Sequence, residues 1–131
     1  MRLRAIPPRL TTGAYILHSG MEKLSADAER AQALHRMAAG AYPNLQDLSP
    51  QRFVRLLAVA EILIGACLLM PVVGDRLAGL ALTGFSGALV LLYWRTPAMR
   101  RPGSVWPTPA GLAISKDIWM LGIGLGLVIG G

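Results

Sequence analysis

The stretch LAGLALTGFSGALVLLYW, residues 77–94, carries no charged side chain in 18 positions and closes on a Tyr93-Trp94 pair. As a helix it would rise about 27 Å, at ~1.5 Å per residue, close to the ~30 Å hydrocarbon core of a bilayer. The terminal aromatic pair suits a lipid–water boundary. Three more apolar stretches flank it, at about 9–24, 53–70 and 110–129. Pro7 and Pro8 stand where a helix start tolerates proline, and Pro71 and Gly74 stop the second stretch. The first stretch is short of the ~20 residues a span needs, so its polar end is expected in the headgroup zone. In hydrocarbon every backbone N–H and C=O must be paired within its own segment, so the spans must be helices. The expected fold is all-α: one membrane domain over residues 1–131, built as a four-transmembrane-helix bundle.

Composition agrees. The 131 residues are 53% hydrophobic and 15% charged, with a mean hydropathy of +0.48; soluble domains carry about 25% charged residues. The net charge is +6, but the 13 Lys and Arg lie between apolar stretches instead of forming one patch. That arrangement points to anionic lipid headgroups and away from nucleic acid. The basic start, MRLRAIPPRL, resembles a leader. Two prolines precede its apolar run and Arg9, Thr11 and Thr12 interrupt it, so it is expected to be retained. Cys67 is the only cysteine, which rules out an internal disulfide or a CxxC redox pair and leaves a small apolar core residue.

The longest connection, residues 25–52, is expected to carry an interfacial helix over Ala28–Met37, with Leu34 and Met37 against lipid. The basic, Pro-rich segment 95–109 places Trp106 at the interface. Nine Lys and Arg fall on the side of the two long loops and four on the side of the termini. The positive-inside rule then puts both termini outside a plasma (inner) membrane and the loops in the cytoplasm. Two rows of small residues, Gly79-Thr83-Gly87 and Gly122-Gly126-Gly130, are spaced for close helix packing. The glycines of the fourth stretch do not spell GxGxxG and follow no strand, which excludes a nucleotide loop.

Alternating spans bring most of the ionisable groups to one end of such a bundle. Tyr15, His18, Glu22 and Lys23 close the first span, Glu61 lies in the second, and Lys116 and Asp117 open the fourth. Thr11, Tyr15, His18 and Glu22 share one helical face. Glu61 is the deepest carboxylate, about 9 Å of helix beyond Arg55, with Ala58 and Gly65 on its face. A charge near mid-membrane costs ~2.5–3.5 kcal/mol, so Glu61 calls for a partner. Arg55 lies about 120° away around the same helix, which leaves Lys23, Lys116 or a charged His18. The plainer readings are that Lys23, Arg52 and Arg55 are interfacial anchors and that Glu61–Lys116 is a structural ion pair. A metal site from His18, Glu22, Glu61 and Asp117 is disfavoured, since there are two histidines and His35 is expected in a loop. No residue is assigned as catalytic, and no covalent cofactor is indicated.

RLTTGAYILHSGMEKL resembles the first helix of DoxX-like membrane proteins, through His18, Gly20, Lys23 and Leu24. AEILIGACLLMP is similar to that family's second helix at Glu61, Gly65, Leu68 and Leu69, and SKDIWMLG to its fourth at Lys116 and Asp117. Ser19 separates the His from the Gly, a departure from the family pattern. The resemblance implies a four-helix membrane bundle belonging to a redox assembly, with the His18–Lys23 and Glu61–Lys116 positions carried over. Thiol-exchange relatives use a cysteine pair, and Cys67 is alone here, so direct thiol chemistry does not carry over. Two functions follow as expectations. One is an accessory subunit of a larger respiratory or redox membrane complex, with the lipid bilayer and other membrane subunits as partners. The alternative is a stand-alone binder of a quinone or lipid headgroup with an oxidoreductase role, using Tyr15, His18 and Lys116 as donors and Glu61 as proton relay.

Overall fold

Helix ends in this chain are set by local chemistry that the sequence displays. The computed structural model describes residues 2–96, 101–104, 106–108 and 117–130, and over these the protein is all-helical, with no strand. Among the described residues five α-helices follow one another: α1 (Ile6–Leu24), α2 (Ala28–Ala41), α3 (Pro50–Leu69), α4 (Asp75–Arg95) and α5 (Asp117–Gly130). Short 3-10 turns occupy Leu3–Ala5 and Pro43–Asp47. The chain divides into two compact units, Met1–Val73 and Gly74–Gly131.

In the first unit, α1 starts three residues earlier than expected because its first turn absorbs Pro7 and Pro8, whose missing N–H groups have no helical partner there anyway. Asp27 caps α2 by accepting the Arg30 N–H at 2.8 Å, and Ser49 caps α3 by accepting that of Arg52 at 3.3 Å, just before Pro50. The Ala28–Met37 helix is present and runs on to Ala41. Its buried residues are alanines, Ala31, Ala38, Ala39 and Ala41, and it packs on α3. Leu34 and Met37, expected against lipid, are half-buried. His35, expected in a loop, is helical.

Helices α1 and α3 pack antiparallel at short range. A Cβ on Gly13 would meet Leu68 at 2.9 Å and the Gly65 carbonyl at 3.1 Å; one on Gly20 would meet the Ala58 carbonyl at 2.8 Å. Glycine is required at these crossings because backbone lies against backbone.

In the second unit, α4 is 21 residues long and is the one described helix both long and apolar enough to cross a membrane. Helices α1 and α3 are nearly as long but carry Arg9, Glu22 and Lys23, and Arg52, Arg55 and Glu61. Helix α5 is apolar and shorter over its described residues; residues 110–116, the expected start of that stretch, lie outside them. Gly79 of α4 faces Gly124 and Leu127 of α5, and Gly124 faces Thr83. Only part of the expected small-residue pattern therefore packs within this unit: Gly79 and Thr83 do, whereas Gly87, Gly122 and Gly126 have nothing within 4 Å among the described residues. Gly124, two positions out of the expected row, takes their place. Tyr93 is buried, whereas Trp94 and Trp106 are exposed.

Candidate functional site

The two helices of the first unit meet through polar groups. On α3 the buried positions are Val54, Ala58, Glu61, Gly65 and Leu68, a single face at spacings of four and three. On α1 they are Arg9, Thr12, Gly13, Ile16 and Gly20, with Lys23 one turn further on. Lys23 Nζ lies 3.1 Å from Glu61 Oε2, with 12% and 8% of the two side chains exposed. The ammonium also donates to Ser19 Oγ at 2.8 Å. The side chain runs back along α1, as Cα–Cβ bonds in a helix point toward its N-terminus. Ser19, which interrupts the His-Gly pair, thus supplies the second acceptor for the lysine.

At the other end of the same interface Arg9 is fully buried. Its guanidinium donates to the carbonyls of Leu68 at 2.8 Å, Cys67 at 2.8 Å, Met70 at 3.0 Å and Val73 at 2.8 Å. The Ala66 carbonyl is satisfied by the Met70 N–H, so Arg9 takes the next two carbonyls of α3 and two beyond its end. Helix α3 has no basic residue in its last turn. Arg9 supplies from α1 both the donors and the positive charge that a helix C-terminus attracts.

Three of the remaining sequence candidates lie outside this interface. Tyr15, His18 and Glu22 do share a face, but it is the one turned away from α3, and all three are exposed. His18 Nε2 and Glu22 Oε1 pair with each other at 3.1 Å across one turn. The expected cluster therefore separates into an inner pair, Lys23–Glu61, and an outer pair, His18–Glu22. Of the partners considered for Glu61, Lys23 reaches it while His18 pairs with Glu22, and Lys23 is not a free interfacial anchor. Asp117 opens α5 in the second unit and is half-buried. Lys116 lies outside the described residues. Cys67 is half-buried and unpaired in any disulfide.

Sequence reasoning missed Arg9 as a site residue, reading it as a break in the first apolar run. One signal was available: a helix ending at Leu69 before Met70-Pro71, with neither a C-terminal glycine nor a base in its last turn, has orphan carbonyls to satisfy. Chemically the arrangement fixes two helices: every ionised group between them already has partners within the interface. The chain matches no protein-family model, no curated protein and no solved structure.

Proposed function

We propose that the protein is a four-span membrane protein of the DoxX-like kind, serving as a small accessory subunit of a larger respiratory or redox membrane complex. The observation that carries this reading is a buried polar interface between α1 and α3 with large apolar side chains exposed around it. Arg9, Glu61 and Lys23 are turned inward between helices, while Leu10, Met21, Leu56, Val59 and Leu63 are exposed. Water favours the opposite arrangement; lipid, or the apolar flank of another membrane subunit, favours this one. In this reading α1, α3, α4 and α5 each span the bilayer, and the long loops carry the cytoplasmic excess of positive charge. Because the inner charges are consumed in joining α1 to α3, the polar interface acts as scaffold. Native mass spectrometry after gentle solubilisation from the source membrane tests it: a stoichiometric set of larger redox proteins supports the reading, and a chain recovered alone at native expression overturns it.

One observation favours a second reading. Tyr15 and His18 are exposed one turn apart on the same face, two hydrogen-bond donors of the kind that hold the carbonyls of a quinone. A quinone retained by the wild type and lost from His18→Leu in a folded protein would move the function to that face.

A further inference from the structure

On the outer side of α2, Gln32, Arg36 and Gly40 follow at four-residue intervals and so lie above one another. Together with His35, Gln46 and Pro50 they line an open groove of about 550 Å³, within the ~300–1,000 Å³ common for small-ligand sites. The groove is built, not a dent in a mobile surface. His35 Nε2 lies 2.7 Å from the Leu45 carbonyl, and its ring meets Phe53 edge-on with centroids 5.7 Å apart. One side chain thus ties α2, the Pro43–Asp47 turn and α3 together around the opening.

Three features of the groove are unused by the fold. Arg36 is exposed and, among the described residues, makes no hydrogen bond or ion pair; the same holds for the side chains of Gln32 and Gln46. No carboxylate lines the opening. Gly40 has nothing within 4 Å of where a Cβ would stand, and its φ is not positive. Neither packing nor backbone geometry asks for glycine there, and its effect is to leave the groove clear beside Arg36.

We propose that this groove binds a phosphate ester, held by the Arg36 guanidinium with the Gln32 and Gln46 amides as flanking donors. The guanidinium fork matches two oxygens of a phosphate, and two further amide donors suit a tetrahedral oxyanion better than a planar carboxylate. The first turn of α3, which begins at Pro50 on the rim, adds the positive end of a helix dipole. The ester is either the headgroup of an anionic lipid or a soluble metabolite, and the site stands whether or not the chain is an accessory subunit.

The test uses the full chain purified in a neutral detergent, with two probes. Phosphatidylglycerol binding is read by native mass spectrometry and glycerol phosphate binding by calorimetry. Arg36→Gln is expected to weaken binding by about tenfold or more, the loss of a charge-assisted bidentate contact. Gly40→Leu, a better helix former, is expected to abolish binding by filling the groove, with helical content unchanged by circular dichroism. Arg30→Gln, on the same helix but outside the groove, is expected to stay within about twofold of the wild type. Arg36-dependent binding of both probes identifies a soluble ester site, and of the lipid alone a headgroup site. The proposal is overturned if the wild type binds neither probe or if both groove variants bind like the wild type. It is equally overturned if Arg30→Gln loses as much as Arg36→Gln, which would mean diffuse charge attraction.

Discussion

Glu61 and Lys23 form a nearly enclosed ion pair, and such a pair is costly to break from one side only. Glu61→Leu leaves the Lys23 ammonium with Ser19 alone and is expected to destabilise the fold by about 3–5 kcal/mol. The double replacement Lys23→Met with Glu61→Leu is expected to recover most of that loss, because two apolar side chains of similar volume need no partner. Thermal unfolding in detergent, run as a double-mutant cycle, measures the coupling; additive single effects would show that the pair is not coupled. Arg9→Met is expected to cost at least about 2 kcal/mol, since it removes a donor from four carbonyls at and just beyond the end of α3, of which the Met70 carbonyl keeps the Val73 N–H. Its signature is local: hydrogen exchange at the Met70 and Val73 amides, which close the end of α3 and the turn after it, should accelerate more than exchange at mid-helix amides. Of these three residues, the need of Glu61 for a partner was readable from its depth in an apolar stretch. The role of Arg9 was not, because it depends on where a long side chain ends and not on where it starts.

At the scale of elements, close approach depends on which glycines meet backbone. A Cβ at Gly65 would stand 2.8 Å from the Leu17 amide nitrogen and 2.9 Å from the Gly13 carbonyl, so Gly65→Val is expected to separate α1 from α3 and unfold the first unit. At Gly124 a Cβ would stand 2.5 Å from Thr83 Oγ1. That hydroxyl is buried without a hydrogen-bond partner among the described residues, so it has no bond to hold it in place but also little room to turn. Gly124→Ala is expected to cost about 1–3 kcal/mol by overpacking. Gly122→Ala, in open space on the same helix, is expected to be neutral or stabilising by up to about 1 kcal/mol. Melting temperatures of the two α5 variants compare directly, and equal losses would rule out this assignment of the packing face. Sequence spacing predicted close packing on α4 and α5, within one bundle or between copies; within this unit α5 packs through Gly124 and not through Gly122 or Gly126, because Gly122, Gly124, Gly126 and Gly130 offer several faces with nearly equal apolarity.

For the whole molecule, the membrane reading predicts that the chain stays with the bilayer after alkaline carbonate extraction. It also predicts that cysteines introduced into residues 25–52 are labelled by an impermeant thiol reagent from the cytoplasmic side alone. Release into the supernatant would reject the spanning arrangement, and labelling from the opposite side would reverse the topology. The sequence by itself determined the helical character of the chain, the stops at Pro71 and Gly74, and the inward face of α3 through Ala58, Glu61 and Gly65. These follow from local rules: apolar run length, proline chemistry and helical periodicity act within a few residues. The tertiary structure alone decided which face of α1 turns inward. Both of its faces carry polar groups, Thr11, Tyr15, His18 and Glu22 on one and Arg9, Thr12 and Lys23 on the other, so periodicity does not rank them. The choice fell to the side that presents Gly13 and Gly20 to the backbone of α3, where close approach also lets Arg9 reach the end of that helix and Lys23 reach Glu61.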